Sequence, residues 1–202
     1  MNYSLYLVTD ENICEDLEKA VEEAIIGGVT IVQLREKNKS SRKFYEKAVK
    51  IREITKKYNT PLIINDRVDI AYAVEADGVH LGQDDLDIKE ARKIMGNKII
   101  GISTNFVSQA IKAEKAGADY IGVGAVFKTN TKENSIHIGI EGLKEIKEAV
   151  KIPIVAIGGI NELNISEIKN IGVQGYAIVS AILAKEDKRL AAENLKKACQ
   201  PG

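Results

Sequence analysis

Ala116-Gly-Ala-Asp-Tyr-Ile-Gly-Val-Gly-Ala-Val-Phe-Lys-Thr-Asn-Thr-Lys-Glu-Asn134 decides how the rest of the chain is read. It opens on a helix end stopped by glycine. It continues as an apolar run, Tyr120 to Val126, with the length and composition of a buried strand. It leaves that strand through two threonines and a lysine. A buried strand has no need of such an exit. A phosphorylated ligand does: Thr129 and Thr131 offer hydroxyl donors and Lys132 offers a cation.

The same unit recurs in both directions. Toward the N-terminus, the apolar runs Leu5–Val8, Val29–Leu34, Pro61–Ile64, Gly78–Leu81 and Ile99–Ile102 read as strands. Between them, Glu15–Ile26, a long stretch from Ser40 or Ser41 to about Lys57, Arg67–Val74, Ile88–Met95 and Val107–Ala116 read as helices. Gly27-Gly28 stops the first helix, and Ser40 or Ser41 caps the second, which turns Phe44, Ala48, Ile51 and Ile54 inward. Toward the C-terminus follow helices Ile140–Val150, Glu162–Ile171 and Lys188–Ala198, with strands Ile154–Ile157 and Gly175–Val179 among them. Three helix-to-strand joints resemble one another: Ala76-Asp-Gly-Val, Ala116-Gly-Ala-Asp-Tyr and Ile171-Gly-Val-Gln-Gly. Eight strand–helix units with no break in composition predict one α/β domain over residues 1–202, a closed (β/α)8 TIM barrel. A doubly wound open sheet is the alternative. It is disfavoured because no strand-to-helix turn carries Gly-x-Gly-x-x-Gly.

The chain has 202 residues, 29 Lys+Arg and 29 Asp+Glu, so its formal net charge is zero. That balance gives no support for a nucleic-acid surface. Cys14 and Cys199 are the only cysteines and read as free thiols in a reducing compartment. The first residues lack a basic and then apolar leader, and no apolar run reaches membrane-spanning length. The expectation is a cytoplasmic protein without a membrane partner.

In such a barrel the loops after the strands share one face, where chemistry occurs. Polar residues concentrate there. Gln33, Arg35 and Lys37 alternate, so they share a side and suit a polyphosphate; they fit a solvated strand end as well. Asn65, Asp66 and Arg67 follow the third strand, and Gln83, Asp84 and Asp85 the fourth. Asp66 and Asp85, two carboxylates in a basic setting, suggest Mg²⁺ bridging a diphosphate. Each also fits as a helix N-cap. Ser103, Thr104 and Asn105 follow the fifth strand. Gly158-Gly159 and Val179-Ser180 follow the last two, where backbone N–H groups hold phosphate in many barrels. His80 reads as a structural residue closing an apolar strand, and His137 receives no role. No Ser/His/Asp order and no Cys/His metal spacing is present.

These pieces in this order resemble the thiamin-phosphate synthase family along nearly the whole chain. The matching segments are Tyr6-Leu-Val-Thr-Asp10, Val32-Gln-Leu-Arg-Glu-Lys37, Ile64-Asn-Asp-Arg67, Gly78-Val-His-Leu-Gly-Gln-Asp-Asp85, Gly101-Ile-Ser103, Thr129-Asn-Thr-Lys132, Ile157-Gly-Gly-Ile160 and Val179-Ser-Ala-Ile182. The resemblance implies a transferase that joins an aminopyrimidine methyl diphosphate to hydroxyethylthiazole phosphate. It implies that Arg35, Lys37, Asn65 and Lys132 hold the diphosphate, and that Asp66 and Asp85 bind Mg²⁺. Gln33 and Ser103 would lie by the pyrimidine and diphosphate. Thr129, Thr131, Gly159, Val179 and Ser180 would hold the thiazole phosphate. It also suggests a homodimer. The chain departs from the family pattern at Asn105, where His is frequent, and at Ala125, where Pro is common. A thiazole tautomerase-like isomerase, a phosphosugar isomerase and a non-catalytic binder of thiamin intermediates are the rival readings. Asn105 argues against the first, because an amide cannot shuttle a proton at neutral pH.

Overall fold

A computed structural model describes residues 1–129 and 136–199. Eight parallel strands close into a barrel in sequence order: β1 (Leu5–Val8), β2 (Ile31–Leu34), β3 (Leu62–Asn65), β4 (Gly78–Leu81), β5 (Ile99–Thr104), β6 (Tyr120–Val123), β7 (Ile154–Ile157) and β8 (Gly175–Ile178). Helices α1 (Leu17–Ile26), α2 (Ser41–Lys57), α3 (Val68–Ala73), α4 (Ile88–Met95), α5 (Val107–Ala116), α6 (Gly139–Ala149), α7 (Ile165–Ile168), α8 (Ser180–Leu183) and α9 (Lys188–Cys199) surround it. The closed barrel is the expected one, and β1 pairs with both β2 and β8.

Two apolar cores follow from strand alternation. One lies between strands and helices and takes Leu5, Leu7, Val32, Leu34, Leu62 and Ile64 together with helix residues such as Val21, Phe44 and Ile51. The other fills the barrel and takes Tyr3, Tyr6, Ile31, Ile63, Tyr120 and Val155. Strands buried on both faces explain why the apolar runs carry no polar alternation. On α2 the buried row is Phe44, Ala48, Ile51 and Thr55; Ile54 is only partly buried.

Several boundaries differ from expectation for local reasons. The segment read as a helix from Glu162 begins only at Ile165. Asn161 Oδ1 accepts from Leu163 N at 2.9 Å and Asn164 Oδ1 accepts from Asn161 N at 2.9 Å. These side chains satisfy backbone donors outside a helix and delay it. β6 ends at Val123, not Val126, because the chain turns to a new set of partners. Ala125 N donates to Ile136 O, and Val126 N donates to Ile157 O, each at 2.9 Å. The short α8 has too few residues for a periodic signal.

The bottom of the barrel carries one device four times. The residue just before each even-numbered strand exchanges two hydrogen bonds with the start of the odd-numbered strand before it. Thr30 N donates to Leu5 O at 2.8 Å, and Thr30 Oγ1 accepts from Leu5 N at 3.1 Å. Asp77 N donates to Leu62 O and Asp77 Oδ2 accepts from Leu62 N, both at 2.8 Å. Asp119 repeats this with Ile100, again at 2.8 Å in both directions. Gln174 does so with Ile154 at 2.9 Å in both directions. Arg52 Nη1 and Arg92 Nη2 brace Asp77 and Asp119 at 2.6 and 2.7 Å. The similar joints noticed in the sequence are three of these four stitches.

Candidate active site

The upper end of the barrel opens into a cavity of about 250 Å³. Its wall brings together Gln33, Arg35, Asn65, Ser103, Thr129, Gly159, Val179 and Ser180, which come from six different strand ends. Gln33 and Asn65 occupy the upper inward positions of β2 and β3, and both are buried. Polar residues at the top of otherwise apolar strands are costly unless they have partners. They are therefore the residues to follow.

Arg35 stands just beyond β2. Thr9 Oγ1 accepts from its backbone N at 2.9 Å, and its guanidinium lies 3.6 Å from Asp10 Oδ2. The guanidinium thus faces the cavity with one carboxylate behind it. On the opposite wall, Gly158 and Gly159 have φ of 102° and 66°. A Cβ at Gly159 would lie 2.5 Å from the Lys128 carbonyl oxygen, so this position needs glycine for space as well as conformation. Ser180 opens α8 directly after β8.

Lys37, Asp66 and Asp85 do not line the cavity; they form a separate cluster at its rim. Lys37 Nζ donates to Asp66 Oδ2 at 2.5 Å. Asp66 follows the cavity residue Asn65 and holds a left-handed φ of 61°, which aspartate tolerates better than most residues. Asp85 Oδ2 accepts from Gly82 N at 2.6 Å. Partial burial pushes the Asp85 carboxyl above its ordinary range; the Gly82 hydrogen bond opposes this, and the neighbouring Asp66 adds to it. Neither aspartate caps a helix: the N-caps of α3 and α4 are Arg67 and Asp87. No group of three or more His, Cys, Asp or Glu side chains forms a metal cage among the described residues. A pair of like-charged carboxylates is still the donor set that suits Mg²⁺, which retains water and takes the rest of its ligands from a phosphorylated substrate. Thr131 and Lys132 lie outside the described residues.

The cavity also holds residues that sequence reading did not single out. Tyr6 and Tyr120 lie in its floor, and His80, read as structural, stands in its wall. His80 Nε2 is 2.9 Å from Ser103 Oγ and His80 Nδ1 is 2.9 Å from Tyr120 Oη. Their only sequence signal is negative: Gly101 and Gly122, on neighbouring strands, leave room for rings. A Cβ at Gly101 would collide with the Tyr120 ring, and one at Gly122 would meet His80 Cε1 at 3.0 Å. Asn105 lines the cavity too, and its amide donates to the Gly124 carbonyl.

A closed parallel eight-stranded barrel, with Arg35 and two amides gathered at the upper ends of its strands, has the layout of a (β/α)8 enzyme. The family described as thiamine monophosphate synthase matches residues 5–182, and this chain belongs to it. A thiamine-phosphate synthase of Clostridium tetani is 57% identical over 198 residues, covering 96% of this chain and 95% of the relative. The solved thiamine phosphate pyrophosphorylase of Pyrococcus furiosus superposes with a TM-score of 0.91 at 44% identity, covering 98% of this chain and 96% of that one. A 3-hexulose-6-phosphate synthase with a TM-score of 0.70 and 18% identity shares the fold alone.

Proposed function

We propose that this enzyme condenses the pyrimidine methyl diphosphate with hydroxyethylthiazole phosphate, yielding thiamin phosphate and diphosphate. The observation that carries the reading is the division of one cavity in a family member. Gln33, Arg35, Asn65 and Ser103 stand on one wall, with Thr129, Gly159, Val179 and Ser180 opposite. Two substrates can therefore meet between two anion-binding walls.

The chemistry asks little of a general base. As the C–O bond to diphosphate breaks, positive charge grows on the pyrimidine methylene and is delocalised by the ring amine. Arg35, Lys37, Asn65 and Lys132 stabilise charge building on the leaving group, and Ser103 donates to one of its oxygens. The thiazole nitrogen, held close by its own phosphate, forms the new C–N bond with its lone pair. Asp66 and Asp85 would hold Mg²⁺, which when bound neutralises charge on the diphosphate oxygens. The isomerase alternative would need a proton carrier at position 105, where the Asn105 amide is engaged with the Gly124 carbonyl. No described helix is long and apolar enough to cross a membrane. A cytoplasmic location and a homodimer complete the reading; light scattering tests the latter.

The direct test incubates the pure protein with both substrates and Mg²⁺ and follows thiamin phosphate by fluorescence after oxidation. Product should form together with stoichiometric diphosphate. No product from folded protein would overturn the assignment.

A further inference from the structure

A single hydrogen-bonded chain crosses the cavity floor. Gln33 Nε2 donates to Tyr6 Oη at 2.8 Å, and Tyr6 Oη lies 2.7 Å from Tyr120 Oη. Tyr120 Oη lies 2.9 Å from His80 Nδ1, and His80 Nε2 lies 2.9 Å from Ser103 Oγ. The five side chains come from β2, β1, β6, β4 and β5. Each internal member has one proton to give along the chain. A phenol carries one, and a neutral imidazole carries one N–H and one lone pair. A phenol oxygen can also accept twice, but that leaves its own proton unpaired in the buried floor; only two directions give every proton buried within the chain an acceptor.

In the first direction the Gln33 amide donates into Tyr6, Tyr6 into Tyr120, and Tyr120 into His80 Nδ1. The His80 proton must then sit on Nε2 and donate to Ser103, leaving the serine hydroxyl proton to point into the cavity. In the second direction every link is reversed, and Ser103 spends its proton on His80. The two ends are coupled although they share no contact. The Gln33 amide nitrogen faces Tyr6, which selects the first direction. Burial raises both Tyr6 and Tyr120 well above the ordinary phenol range, so neither breaks the chain by ionising.

We propose that Tyr6, Tyr120 and His80 are positioning residues: their chain, polarised by Gln33, keeps the His80 proton on Nε2 and makes Ser103 a hydrogen-bond donor toward an anionic leaving group. The role of Ser103 toward substrate rests on the proposed condensation. The direction of the chain is a property of the protein alone.

The chain has two histidines, so a His137→Gln background leaves one imidazole to observe. Nitrogen-15 NMR of that protein should show the neutral Nε2–H tautomer. Gln33→Glu, whose carboxylate cannot donate, should move the His80 proton to Nδ1. An Nδ1–H tautomer in the parent, or an unchanged tautomer in folded Gln33→Glu, would overturn the proposal. Kinetics supply a second readout. Tyr120→Phe should lower kcat about tenfold with KM held within about twofold, as expected for loss of one oriented hydrogen bond. It should add nothing in a Ser103→Ala background. Equal fractional losses in both backgrounds would reduce the tyrosine to a packing role and overturn the proposal. A parent enzyme that makes no product would defeat the functional reading instead, and the tautomer pair would still decide the direction of the chain.

Discussion

The two ends of the barrel follow opposite rules. At the bottom, Thr30, Asp77, Asp119 and Gln174 repeat one arrangement with the same two bonds. At the top the strand ends differ: amides at Gln33 and Asn65, an imidazole at His80, a hydroxyl at Ser103 and a glycine pair at 158–159. Repetition at one end serves stability, which every strand pair needs equally. Variety at the other serves a ligand, which presents a different group to each strand. Substitutions should therefore separate activity from stability according to the end they touch.

The largest effect is expected at the top. Asp66→Asn keeps a side chain that tolerates the left-handed backbone but removes the charge beside Lys37. Its kcat should fall about 10²-fold as charge stabilisation is lost, with a melting temperature close to that of the parent. A large fall in melting temperature would move Asp66 to the stabilising class and blur the contrast.

At the bottom, Asp77→Ala should do the reverse. It strands the Leu62 N–H and the mostly buried Arg52 guanidinium, and should cost about 2–3 kcal/mol in urea unfolding while kcat stays near the parent value. A comparable loss of turnover in the folded variant would break the division.

A smaller effect sharpens the comparison by showing that the top gives up stability. Glu36, just after β2, is buried, and its carboxyl is pushed up to about 7, first by burial and then by the charge of Glu11. Between the ordinary 4.5 and about 7 the folded protein binds more protons here than the unfolded chain does. The contribution of Glu36 to stability is therefore present at low pH and is lost as pH rises through about 7. Glu36→Gln should abolish that slope and raise the melting temperature at pH 8. A slope unchanged in the variant would exclude Glu36 as its source.

The smallest effect concerns Thr104, buried in the cavity wall, whose hydroxyl has no hydrogen-bond partner among the described residues. Thr104→Val should leave unfolding within about 0.5 kcal/mol of the parent, since an apolar isostere forfeits no made bond. A marked loss of turnover would instead add this hydroxyl to the substrate contacts.

The same contrast explains what the sequence discloses. The bottom is legible because it repeats: three joints with Asp or Gln before a strand stand out without coordinates. Thr30 has the same spacing, Gly28-Val-Thr30 beside Gly117-Ala-Asp119 and Gly172-Val-Gln174, but escapes notice because a β-branched threonine reads as part of the strand run Val29–Leu34. At the top, Gln33, Arg35, Asn65, Asp66 and Ser103 are legible as polar groups ending apolar runs. Tyr6 and Tyr120 are not, because a tyrosine in a buried strand looks like core until its hydroxyl partner is known. Asp66 and Asp85 fit either a metal pair or two caps in one dimension. The caps of α3 and α4 are Arg67 and Asp87, and in the structure Asp66 pairs with Lys37 while Asp85 accepts from Gly82 N. Helix starts near 161–164 depend on whether asparagine side chains or backbone carbonyls take the first N–H groups, a competition too close for propensity to decide.

The bottom stitches also act as a ruler. Each fixes the height at which an even strand begins, and side-chain alternation then sets which residues face inward. Counting three residues beyond Thr30, Asp77, Asp119 and Gln174 gives Gln33, His80, Gly122 and Ala177, and all four line the cavity. One residue inserted between stitch and cavity would turn that strand's inward set toward the helices. A substitution at the counted position leaves the scale intact. The protein thus measures the inward layer of its cavity from the opposite end, and the register of each even strand is set independently of the side chain at the counted position.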